Sequence, residues 1–172
     1  MLVGHSCGVT LVFQTVMGKF ANIEAAYIVK PMAVVGIAGV YELRLLRDDH
    51  KHDPLYQDFI EGAFGPIESL WDEVSPGRMH DSGGIEKGWV DGRLAVLALS
   101  RNDGVINTRQ ALAMERTLHR WEQDGNKEQR QVVLLEDLQD QHDEIWSKGK
   151  EVASVRIAAI QQLVAMDNFP QD

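Results

Sequence analysis

Three residues of this chain could together attack a carbonyl carbon. Ser6 stands in Gly4-His5-Ser6-Cys7-Gly8, a G-x-S-x-G pattern. A serine hydroxyl is a weak nucleophile at its free pKa and needs an adjacent base. His142, in Gln141-His142-Asp143-Glu144, could take the Ser6 proton and pass it to a leaving group. Asp103, in Ser100-Arg101-Asn102-Asp103-Gly104, could hold the imidazole tautomer and stabilise the imidazolium. Cys7 follows the serine, so its backbone N–H could donate to a developing oxyanion. Each residue also has a plainer reading. Ser6 could mark an ordinary glycine-containing turn, Asp103 before Gly104 could be a turn residue, and His142 could be a surface histidine.

The chemistry requires a strand that ends at the serine and a helix that starts there. Met1-Leu2-Val3 reads as the end of a strand. Val9, Val12, Phe13 and Val16 recur at helical spacing, which predicts a helix from Ser6 to about Lys19. Gly4 and Gly8 are expected where side chains would collide in a tight turn. Asn22 to Tyr27 reads as a short connection. Met32 to Ala38 is an apolar run suited to a strand buried on both faces. Gly39-Val40-Tyr41-Glu42-Leu43 then leaves the sheet. Residues 44–92 form a long excursion after this second strand. Within it, Leu55, Phe59, Ile60 and Ala63 mark a short helix that Gly65-Pro66 ends. Leu94 to Leu99 is the next strand, and Asp103 falls in the loop after it. A helix follows from about Thr108 to Asp124, with Ala111, Met114, Leu118 and Trp121 on one face, and Asp124-Gly125-Asn126 stops it. Gln131 to Leu135 is the last strand. Glu136 to Gln141 reads as a loop, with His142 in it. Val152, Val155, Ala159, Ile160 and Leu163 form the stripe of a closing helix from about Val152 to Met166. Strands alternating with helices give an α/β class with about four parallel strands.

Composition narrows the function. The 172 residues are 44% hydrophobic and 25% charged, enough for one domain with a core. A net charge of −9 with no basic patch excludes a nucleic-acid partner. No run of residues is long and apolar enough for a membrane span, and no secretory leader pattern is read. Cys7 is the one cysteine, so no disulfide framework exists. A reducing, cytoplasmic location is expected. The other histidines are weaker candidates. His5 adjoins the serine and cannot serve it productively. His50 and His52, in Asp49-His50-Lys51-His52-Asp53, look like metal ligands, but a solvated charged loop is the favoured reading. His80 follows no strand, and His119 falls within a helix, expected on its exposed side.

Taken together, several segments resemble fungal kynurenine formamidases. They are Leu2 to Gly8, Gly39 to Leu43, Glu61-Gly62-Ala63-Phe64-Gly65, Ser75-Pro76, Ser100 to Asp103, and His142-Asp143. The resemblance runs along essentially the whole chain. It implies an α/β-hydrolase fold and hydrolysis of N-formyl-L-kynurenine to L-kynurenine and formate, a step of tryptophan catabolism towards NAD. It implies a small-molecule substrate, no metal and no cofactor. It names Ser6 as nucleophile, Asp103 as acid and His142 as base. A homodimer stays open, as do two other readings: a carboxylesterase of the same fold, or an inactive fragment.

The sequence departs from that family at one point. Members carry an N-terminal half with an H-G-G-x-W oxyanion loop. Here the only adjacent glycines are Gly83-Gly84, with no histidine directly before them. The expectation is therefore a truncated fold, the C-terminal portion of the domain. Residues 1–43 form its elbow half, 44–92 the excursion, and 93–172 carry the acid and histidine loops. Such a chain is expected to be nearly inactive, with apolar surface bare around Val9, Val12 and Phe13.

Overall fold

Apolar residues on both sides of two strands require helices on both faces of a sheet, and the chain supplies them. The computed structural model describes residues 1–20, 30–124 and 130–168. The Asn22–Tyr27 connection and the Gly125-Asn126 helix stop lie outside the described residues. Four strands form one parallel sheet in the order β1 (Leu2–His5), β2 (Ala33–Ile37), β3 (Leu94–Ser100) and β4 (Gln131–Leu138). Every residue of β2 and β3 is buried. The register sets Gly4 beside Gly36 and Val35 beside Val96, so the strands end together at the edge carrying Ser6.

On one face, Val34, Ala95 and Leu97 pack against α1 (Cys7–Gln14) and α6 (Arg109–Asp124). On the other, Val35, Ile37 and Val96 pack against Ile145 of α7 (His142–Lys148) and Val155 and Ala159 of α8 (Lys150–Asn168). Gly149, in the left-handed region at φ 66°, ends α7 and lets α8 start at once. Among the described residues, no helix is long and apolar enough to cross a membrane.

The excursion is mostly helical. It holds α2 (Leu43–Asp49), α3 (Pro54–Phe64), α4 (Glu68–Val74) and a single turn, α5 (Ile85–Gly88). Asp53 caps α3 by accepting from the Leu55 N–H at 3.0 Å, and Pro54 occupies the first helical position. Val40, Leu43, Leu46, Ile60, Trp71 and Ile106 form a small core of their own.

Several expectations are corrected. Val9 and Phe13 are fully buried rather than bare, because Tyr41, Ile85 and Trp89 fold over α1. The excursion thus covers the helix that follows Ser6. That helix ends at Gln14, and a separate 3-10 turn runs from Gly18 to Phe20. β4 continues through residues 136–138, which were expected in a loop; a bulge opposite β3 absorbs one extra residue between the Ala98 and Ser100 pairings. Ile160, expected on the inner stripe of α8, is half exposed.

Candidate active site

The turn between β1 and α1 fixes Ser6. Its backbone sits at φ 57°, ψ −130°, a conformation that side chains other than glycine's rarely adopt. Holding it costs on the order of 1–3 kcal/mol, so neighbours must enforce it. They do: Ser6 N–H donates to the Ile37 carbonyl at 3.1 Å, and the Ser6 carbonyl accepts from Val9 N–H at 3.0 Å and Val40 N–H at 3.3 Å. The turn is tight enough that a Cβ on Gly4 would lie 2.7 Å from the Gly8 carbonyl oxygen. The same crowding was expected at Gly8. There the space is open, so Gly8 is not required by packing.

His142 is not in a loop. It is the first residue of α7, and Glu144 ties the turn before it by accepting from the Gln141 N–H at 3.2 Å. This entry angle brings the imidazole over the end of the sheet. His142 Nε2 lies 2.9 Å from Ser6 Oγ, and Nδ1 lies 2.8 Å from Asp103 Oδ2. The structure thus brings together all three side chains singled out in the sequence.

Asp103 serves two purposes with two oxygens. Oδ1 accepts from the Val105 and Ile106 N–H groups, each at 2.8 Å, and so closes the loop after β3. Oδ2 faces His142. The turn reading and the acid reading are therefore compatible. Burial alone would raise the Asp103 pKa. The hydrogen bonds from His142, Ile106 and Val105 outweigh burial and hold the carboxyl below its ordinary range. Asn102 steadies the loop by donating from Nδ2 to the Gln139 carbonyl at 2.8 Å.

Cys7 is the first residue of α1, and its thiol is exposed. A first-turn N–H has no carbonyl acceptor within its own helix, and the helix dipole favours negative charge there. That position can receive an oxyanion formed on a carbonyl at Ser6.

Two features escaped the sequence reading. Gln110, fully buried on α6, accepts with Oε1 from the Tyr41 and Glu42 N–H groups at 2.8 and 2.9 Å. Its Nε2 donates to the Glu42 carbonyl at 2.9 Å. It pins the segment that leaves β2 beside Ser6. The signal was there: a polar residue one turn before Met114, within the apolar stripe of α6. The second feature is His5, whose ring centroid lies 4.7 Å from that of His142 and 6.1 Å from that of Trp146.

The remaining histidines stand apart from the chemistry. His50 Nε2 lies 2.7 Å from the Val105 carbonyl, and its ring stacks on Tyr56 at 3.8 Å. His52 is exposed. Among the described residues, no three His, Cys, Asp or Glu side chains are grouped to hold a metal ion. His80 lies beside Glu86, and His119 pairs with Glu115 and Glu122 on the outside of α6.

No family model matches the chain. Individual relatives do. A kynurenine formamidase-like hydrolase of Fusarium equiseti is 38% identical over 154 residues, which cover 90% of this chain and 49% of that protein. A kynurenine formamidase of Aspergillus versicolor is 30% identical over 168 residues, which cover 88% of this chain and 56% of that protein. The chain is a relative of the fungal kynurenine formamidases. It spans about half the length of the curated relatives it matches.

Solved structures agree on the fold of this formamidase relative. It superposes on an acetyl ester-xyloside bifunctional hydrolase from Caldicellulosiruptor lactoaceticus with a TM-score of 0.58 at 14% identity, over 95% of this chain and 56% of that one. It superposes on esterase B from Lactobacillus rhamnosis with a TM-score of 0.50 at 15% identity, over 98% of this chain and 56% of that one. The fold is that of the α/β hydrolases, in a part about half as long as these structures.

Proposed function

We propose that this chain carries the nucleophile, base and acid of a serine hydrolase acting on an aryl formamide, and that it converts N-formyl-L-kynurenine to L-kynurenine and formate. The observation that supports this most directly is the His142 imidazole bridging Ser6 Oγ and Asp103 Oδ2 at 2.9 and 2.8 Å. Ser6 Oγ attacks the formyl carbon while His142 Nε2 takes its proton. Cys7 N–H donates to the resulting oxyanion. Collapse breaks the C–N bond, and His142 returns the proton to the departing aryl amine. Water then attacks the formyl ester and gives a proton to His142; collapse breaks the bond to Ser6 Oγ, His142 returns the proton to that oxygen, and formate leaves. Asp103 stays ionised throughout and stabilises the imidazolium, consistent with its lowered pKa. Residues 1–43 supply the nucleophile, 44–92 are the excursion that packs over α1, and 93–172 supply acid and base, as parts of one partial domain. A cytoplasmic setting belongs to the same reading, since an exposed free thiol beside the nucleophile suits reducing conditions.

The test is a parallel assay of N-formyl-L-kynurenine, an acetyl ester and a butyryl ester, with Ser6→Ala as control. Formyl is the smallest acyl group, so a narrow acyl site excludes the larger ones by steric clash. The proposal expects preference for the formamide and loss of all turnover in S6A. Preference for the butyryl ester would favour a carboxylesterase. Turnover unchanged in S6A would overturn the role of Ser6.

A further inference from the structure

His5 was set aside in the sequence because it adjoins the serine, yet its side chain faces the other way. It lies on the side of the sheet covered by α7 and α8, where it meets two α7 residues one turn apart, His142 and Trp146. The ring of His5 is 4.7 Å from His142, tilted by 34°, and 6.1 Å from Trp146, nearly parallel at 21°. Its Nε2 is buried with no hydrogen-bond partner among the described residues. A histidine whose polar atom is left unsatisfied is not held there for hydrogen bonding at that nitrogen. What the geometry shows around it is the flat ring set against His142 and Trp146.

The consequence concerns His142. Its imidazole is anchored at two edges, by Asp103 and by Ser6. These contacts fix the ring only while both persist. During acyl transfer the Ser6 contact is lost, because Oγ becomes part of an ester. The ring then needs a wall to keep it aligned for the incoming water. On the β1 side, His5 is the aromatic side chain against it.

We propose that His5 is a positioning residue whose ring, packed against His142 and Trp146, holds the His142 imidazole on the line from Asp103 to Ser6. The contact suits a neutral ring. Burial lowers the His5 pKa, and the nearby His142 charge lowers it further, against the opposing pull of hydrogen bonding to the His142 backbone and of Asp103 and Asp143. An uncharged aromatic face beside His142 tolerates the imidazolium, whereas a second cation would repel it. On this proposal the ring's shape is what holds His142, and phenylalanine should replace histidine here.

Since this builds on the proposed role of His142 as base, the experiment reads the ring directly as well as the chemistry. The whole chain is prepared as wild type, His5→Ala and His5→Phe. Proton NMR follows the downfield imidazole N–H shared by His142 and Asp103, and a fluorophosphonate probe reports the rate of Ser6 labelling. In H5A the N–H resonance should broaden or vanish and labelling should slow roughly 10-fold or more, since small misplacements of a catalytic group are costly. H5F should restore both. A sharp resonance and wild-type labelling in H5A would overturn the proposal, as would an H5F chain that is folded but behaves like H5A. Trp146→Ala, at a site 65% exposed, makes the same comparison if H5A does not fold, with a smaller loss in the same direction expected. Labelling absent in every chain while the resonance follows this pattern would refute the hydrolase reading and leave the positioning role of His5 supported.

Discussion

The Asp103 carboxylate is the most constrained group at the site. Its side chain is 1% exposed and accepts from two backbone N–H groups and from His142. Asp103→Asn keeps the shape but presents an amide to Nδ1, favouring the wrong imidazole tautomer. Turnover should fall about 10⁴-fold with the chain still folded, read by steady-state kinetics beside circular dichroism. The lowered pKa also sets a pH dependence. The folded carboxyl binds its proton less readily than the unfolded one. Its contribution to stability is complete above the unfolded pKa and is lost as pH falls through the folded pKa. Acid unfolding monitored by fluorescence should show this loss in the wild type, and D103N should remove that component of the pH dependence.

At the scale of elements, the strand-to-helix turn is enforced from two sides. Gly4→Ala drives a Cβ to within 2.7 Å of the Gly8 carbonyl oxygen and should destabilise the fold by roughly 1–3 kcal/mol. Gly8→Ala meets open space inside a helix and should be neutral or stabilising by about 0.5–1 kcal/mol. Urea denaturation of the two variants distinguishes them, and equal destabilisation would contradict the asymmetry. Gln110 works on the other side of the turn. Gln110→Leu keeps the bulk but strands the Tyr41 and Glu42 N–H groups, costing on the order of 1–3 kcal/mol for each buried group left without a partner. Loosening of residues 41–42 should appear as faster amide exchange there than in the wild type.

At the scale of the whole molecule, β1 is one of the two edge strands of the sheet among the described residues. It pairs with β2 along one edge, and β2, β3 and β4 follow in order on that side. Leu2 on its outer part is 38% exposed. An apolar strand edge with free N–H and C=O groups pairs with other chains. Analytical ultracentrifugation of this chain should show concentration-dependent association, and Leu2→Lys should weaken it. Turnover by this chain alone should also be low. It contains no H-G-G-x-W sequence to add a second oxyanion donor to Cys7. Removing one such donor costs about 10²–10³ in rate. Turnover of N-formyl-L-kynurenine by residues 1–172 that matched a full-length relative would contradict this.

The sequence by itself determined the alternation of strands and helices, because buried strands and one-sided helices write their periods directly into residue type. It also determined the chain order of Ser6, Asp103 and His142 and their places after strands, since motif and strand ends are both local. Tertiary structure decided the rest. Whether α1 would be bare depended on Tyr41, Ile85 and Trp89, residues distant in sequence that pack over Val9 and Phe13. Glu136 and Asp137, polar and exposed, look like loop, yet pairing with β3 carries β4 past them to Leu138. Gly8 and Gly4 are indistinguishable in the motif, and only the path of the backbone shows which of them is crowded. The 2.8 and 2.9 Å contacts of His142 arise because a helix entry and two strand ends converge at one edge of the sheet, a distance relation that no local spacing contains.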